Sequence, residues 1–129
     1  MSNDTFLIGK VDGESVRDIV KERASSILGR PLSHAEDFII EVLLTIEERT
    51  GRAWVSDLDR NGFPTLLREM GETFGLCSII NNSSSGGSTA TCPMIKDLEE
   101  AYKTLAIYNI LIIYTKGIPS IRLNKNLKR

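Results

Sequence analysis

The chain has 129 residues, 41% hydrophobic and 26% charged, with a formal net charge of −1. Those values describe one globular domain and exclude wholesale disorder, collagen-like repeats and a crowded multidomain layout. The longest apolar run, Ile110 to Tyr114, is far short of the ~20 residues a membrane helix needs.

Phe6 to Val11 reads as a short edge strand, broken by a turn at Asp12-Gly13. From Ser15 the apolar positions Val16, Ile19, Val20, Ala24, Ile27 and Leu28 follow helical spacing, with Gly29 as the stop and Pro31 beyond. Ser33 opens a second helix, and Glu36 three residues on completes the capping-box pattern. Phe38, Ile39, Ile40, Val42, Leu43, Leu44 and Ile46 make that helix apolar around much of its circumference, so it belongs at the centre of the core. Thr50-Gly51 ends it.

Ala53-Trp54-Val55 suits a short strand, and Ser56 suits the cap of a helical turn through Asp59, stopped at Asn61-Gly62. Pro64 suits the first turn of a further helix. Its apolar face is Leu66, Leu67, Met70 and Phe74, and Gly75 closes it; Gly71 in its middle costs about 1 kcal/mol of propensity. Leu76 to Ile80 reads equally as a strand or a loop anchor. The polar run 81–91, NNSSSGGSTAT, reads as a flexible Ser/Gly connection. Pro93 opens a last helix with the stripe Met94, Ile95, Leu98, Ala101, Tyr102, Leu105 and Ala106. Ile107 to Thr115 and Ile118 to Leu123 read as two strands joined by Lys116-Gly117, followed by a polar, basic tail. The expected fold is a mainly helical α+β domain of three to four helices with a C-terminal β-hairpin. It spans residues 1–129, with 1–32 as an extension carrying one helix and 33–124 as the core.

The charge is split along the chain. Residues 1–102 carry 17 acids and 10 bases, while 103–129 carry Lys103, Lys116, Arg122, Lys125, Lys128 and Arg129 and no acid. A basic end points to an anionic partner, or to acids of the same domain or of a second subunit. The start, Met1-Ser2-Asn3-Asp4-Thr5, lacks the pattern of a secretory signal. The expectation is a soluble, cytoplasmic protein with no membrane partner.

Catalytic and metal chemistry find little to work with. His34 is the one histidine, placed in the first turn of the second helix as a surface residue. The acid pairs Glu36-Asp37, Glu47-Glu48 and Glu99-Glu100 fall on caps or polar faces. Asp57, Asp59 and Asn61 resemble the opening of a calcium loop, but its twelfth position is Arg68 where glutamate is required. Cys77 and Cys92 form no CxxC pair. They bracket the run Ser78 to Thr91, so they read either as two free buried thiols or as a disulfide removing ~3 kcal/mol of loop entropy. The expectation is a binding protein rather than an enzyme, without cofactor or metal.

From Ser33 to the hairpin the order of elements resembles a winged helix-turn-helix domain, and the ending NILIIYTKGIPSIRLNKN is similar to the hairpins that close such domains. The resemblance implies a recognition helix over Pro93 to Ala106 and a wing over Asn109 to Thr115 and Ile118 to Leu123. It implies double-stranded DNA as the partner, with Lys96, Lys103 and Thr104 at the major groove. Lys116, Arg122, Lys125, Lys128 and Arg129 would then contact phosphates. The implied role is a small DNA-binding regulator or replication factor, with the helix 15–28 as a candidate homodimer element. Two features oppose it: residues 75–92 separate the second and third helices of the unit, and Asp97, Glu99 and Glu100 load the recognition helix with acid. The alternative is a protein-interaction module or small subunit of a larger assembly.

Overall fold

The computed structural model describes the backbone of residues 8–58, 62–82 and 87–128, and the side chains of 16–58, 62–77 and 92–128. Four helices carry more than half of the described residues: α1 (Ile8–Leu28), α2 (His34–Thr50), α3 (Gly62–Thr73) and α4 (Ile95–Ile107). Strands β1 (Val55–Ser56), β4 (Leu111–Tyr114) and β5 (Ser120–Leu123) form an antiparallel sheet in the order β1-β5-β4. Strands β2 (Ser78–Asn82) and β3 (Gly87–Thr91) pair with each other between α3 and α4. The fold is mixed α+β and mainly helical.

Helix α2 is the axis of the core. Its start is closed by the capping box: Ser33 Oγ accepts from the Glu36 amide at 3.1 Å, and Glu36 Oε1 accepts from the Ser33 amide at 2.8 Å. Arg30 donates to both Glu36 oxygens, at 2.8 and 2.7 Å. These bonds allow Glu36 to be buried at 3% exposure, since a buried charge is tolerated when paired and hydrogen-bonded. The Arg30 guanidinium holds the Glu36 carboxyl below its usual value. Gly51, in the left-handed region at φ +74°, closes the other end. Between them Phe38, Ile39, Ile40, Val42, Leu43, Leu44 and Ile46 are all buried.

The first helix is longer than its apolar stripe implies. Ile8 to Val11 is its first turn, not a strand, and Asp12-Gly13 continues the helix rather than breaking it. Phe6 lies outside the described residues. Val20 and Ala24 are fully buried in the same core, so the stripe is spent in part on this chain's own packing. Ion pairs fix α1 across α2: Arg17 to Glu41 and Glu48, both at 2.6 Å, and Lys21 to Asp37 at 3.1 Å and Glu41 at 2.6 Å. Burial pulls the Lys21 pKa down, but the hydrogen bonds to Glu41 and Asp37 outweigh it and raise it.

Four further expectations are corrected. The run 81–91 is not an open connection: Asn81-Asn82 and Gly87–Thr91 belong to β2 and β3, with Asn82 opposite Gly87. The Cys77–Cys92 disulfide ties the base of this hairpin, with a Cα–Cα distance of 4.6 Å. Joining the ends lowers the entropy that pairing so polar a segment must overcome. Ser56 does not cap a turn; it lies in β1, and its hydroxyl is 3.1 Å from that of Ser120. Ile107 ends α4 instead of starting a strand. Asn109, at φ 61°, makes the left-handed turn that asparagine tolerates, and β4 begins at Leu111. Met94, placed in the apolar stripe of the last helix, is 65% exposed at the helix N-cap.

The C-terminal segment is a packed 3-10 helix, Lys125–Lys128, rather than a polar tail. Leu127 is 4% exposed in the core. Arg23 of α1 donates to the carbonyls of Asn126 and Leu127, at 3.2 and 3.3 Å.

Candidate nucleic-acid interface

The basic residues of the last third divide into those in use and those left open. Lys128 pairs with Glu47 of α2, so one expected phosphate contact is a structural ion pair. Arg122 is half-buried on the sheet, its guanidinium 5.6 Å from the Trp54 ring centroid. Lys96, Lys103, Lys116 and Lys125 are exposed. Among the described residues these four make no ion pair or hydrogen bond. Arg129 lies outside the described residues.

Helix α4 sorts its charges around its axis. Leu98, Ala101 and Leu105 are buried, so Lys96 and Lys103, two turns apart, sit on the opposite, solvent side. Asp97, Glu100 and Thr104 share one flank. They line a groove of ≈ 370 Å³ together with Arg30 and Ser33, which precede α2, and His34 and Glu36 of its first turn. Thr104 is thus half-buried in an acidic groove and is separated from the two lysines it was expected to accompany. Two of the three acids of the helix face Arg30 and His34 across this groove, while Glu99 remains exposed on the other flank.

The hairpin after α4 presents two different faces. Registers Leu111↔Leu123 and Val55↔Ile121 set these side chains on the core side, while Ile113, opposite Ile121, is 39% exposed near the end of β4. Leu111, Leu123, Ile121 and Val55 are accordingly buried. The alternate positions face outward: Ile112 with Arg122, Tyr114 with Ser120, and Ser56 with Ser120. Trp54, one residue before β1, falls beside Arg122. Trp54 is 41% and Tyr114 48% exposed, and their rings meet edge-on with centroids 5.9 Å apart. Lys116 lies at the turn, where Gly117 takes φ +76°.

The two aromatics are the part of this surface that sequence reasoning missed. Tyr114 was legible as outward, since it alternates with Leu111 and Ile113. Trp54 was not, because its strand partner β5 lies far along the chain.

Among the described residues no cluster of three or more His, Cys, Asp or Glu side chains is placed for a metal, and no helix is long and apolar enough to cross a membrane. No protein-family model, no curated protein and no solved structure matches this chain.

Proposed function

We propose that this chain is a winged-helix protein that binds nucleic acid in the cytoplasm, acting by association and not by catalysis. The observation that carries the reading is the arrangement of α2, β1, α3, α4, β4 and β5. A strand after the first helix joins the far side of the C-terminal hairpin, giving the sheet order β1-β5-β4. This leaves α4 and the hairpin turn as consecutive exposed elements. The lysines of those elements, Lys96, Lys103 and Lys116, have no acid partner within the described part of the chain. Unpaired surface lysines are what phosphate contact requires. The β2–β3 hairpin is an insertion before the helix proposed to face the groove.

The composition of α4 argues for positioning on phosphates more than for reading bases. No arginine projects from it, and Glu99 and Glu100 flank its lysines. Weak sequence preference is expected. The test is fluorescence anisotropy with a random duplex of about 30 base pairs, at about 50 and about 200 mM salt. With four open lysines, the log–log salt slope is expected near −3.6, about a hundredfold loss over that range. No binding at the lower salt overturns duplex contact through α4 and the hairpin turn.

A second reading, as a protein-interaction module, has its own support. Leu58, Met94, Ile107 and Ile118 are exposed at 78, 65, 76 and 57%. A partner covering such side chains would bind with little salt dependence. Helix α1 is a weaker candidate for that role or for a homodimer, because its buried positions already serve its own core.

A further inference from the structure

The outer face of the three-stranded sheet combines features that α4 lacks. Trp54, Tyr114 and Arg122 lie together on it, with Ser56 and Ser120 between them and Ile112 half-buried beside Arg122. No carboxylate occupies any of these outward register positions. Asp57 follows this face in sequence; burial raises the pKa of Tyr102 of α4, and the Asp57 charge adds to that rise. Trp54, Tyr114 and Ser120 border a shallow cavity of ≈ 360 Å³, which is the lower range of small-ligand sites. The two rings meet edge to face at 62°, and part of each stays exposed beside that contact.

We infer that this face is a stacking platform for unpaired bases of a single-stranded nucleic acid. The inference rests on the nucleic-acid reading above and names the form of nucleic acid that this particular surface takes. Exposed aromatic rings gain most from a partner that offers flat π faces, and only unpaired bases do so, because a duplex keeps its base faces stacked inside. The cation at Arg122 and the lysine at the hairpin turn supply attraction for the phosphates that accompany each base. A protein ligand covering the same face would have to bury the Arg122 guanidinium without any carboxylate from this side to compensate. A base stacked on the exposed part of either ring keeps its phosphate in reach of water and of Arg122.

The site carries its own probe, since Trp54 is the single tryptophan of the chain. Its emission is followed in the full chain during titration with an oligothymidylate of about 20 nucleotides, a length that covers one single-strand site. Saturable quenching is expected. In parallel, anisotropy of the labelled oligonucleotide is expected to weaken about tenfold in Tyr114→Ala and in Trp54→Leu. Both side chains are about half exposed, and circular dichroism checks that each variant keeps its fold. Lys96→Ala/Lys103→Ala is expected to spare this binding by comparison and to weaken duplex binding. Duplex binding without quenching by the oligothymidylate overturns the platform and leaves the nucleic-acid reading standing. Quenching by the oligothymidylate with no duplex binding supports the platform and overturns contact through α4. No binding of either probe overturns both. A change in Trp54 emission that follows protein concentration alone, with a doubled mass in sedimentation, makes the face a self-association surface and overturns the platform.

Discussion

Gly71 of α3 faces Phe38 of α2 so closely that a Cβ on Gly71 would lie 2.1 Å from Phe38 Cζ and 2.7 Å from Cε1. The glycine in the middle of a helix is therefore the condition for a ring of α2 to press against the α3 backbone. Its propensity cost of about 1 kcal/mol is offset by this contact. Gly71→Ala is expected to destabilise the protein by about 1–3 kcal/mol, the usual range for overpacking, despite alanine's better helix propensity. Phe38→Leu should recover part of that loss in the double variant, although it is destabilising alone. Additive losses in urea denaturation would count against the contact.

Glu36 makes stability depend on acid. The Arg30 hydrogen bonds lower its folded pKa, so the stabilisation is complete above the ordinary value of 4.5 and is lost as pH falls through the folded value. Glu36→Gln is expected to cost about 1.5–3 kcal/mol at neutral pH, as for a hydrogen bond to a charged group. The difference between wild type and variant should shrink as pH falls below the carboxylate range. Parallel pH–stability curves would show that the ion pair contributes nothing.

The disulfide predicts a redox dependence of stability. Reducing Cys77–Cys92, or replacing both cysteines with serine, is expected to lower the unfolding free energy by about 3 kcal/mol in the chain-entropy model. Amide exchange should rise first in the β2–β3 hairpin, whose ends the disulfide joins. Unchanged protection there after reduction would mean that the hairpin is held by other contacts.

The C-terminal residues belong to the fold. Leu127→Ala is expected to cost about 2–4 kcal/mol, as for other buried leucines, and to loosen α1 through the carbonyls that Arg23 holds. Lys125→Ala should leave stability unchanged and reduce the salt slope of nucleic-acid binding by about 0.9. Removing the last six residues would confound the two effects, so point variants separate them.

The α2 helix was readable in full, because its cap, its stop and its apolar positions are all local signals. Leu67 of α3 and Leu98, Ala101 and Leu105 of α4 were legible in the same way, whereas the burial of Phe63 and Gly71 and the exposure of Met94 were not. The β2–β3 pairing was not readable, because nothing in an Asn/Ser/Gly/Thr run distinguishes a tethered hairpin from an open loop. The ends of α1 and α4 were misplaced for a related reason. Lys10, Asp12 and Gly13 show no apolar period, and the β-branched run after Ile107 masks the turn that Asn109 makes.

The amino-acid sequence by itself determined the order of the main helices, the closing hairpin, most core positions of α2 and the excess of base at one end. Those features follow from periodicity and from charge, both of which are local to the chain. The tertiary structure decided which base is spent and which are open: Lys128 is paired with Glu47, Arg122 lies beside the Trp54 ring without an ion pair among the described residues, and Lys96 and Lys103 meet neither. It also decided that Trp54 and Tyr114 share an exposed face with Arg122. Contacts between residues so distant along the chain depend on strand register and on helix docking, and the burial of the whole core sets both at once.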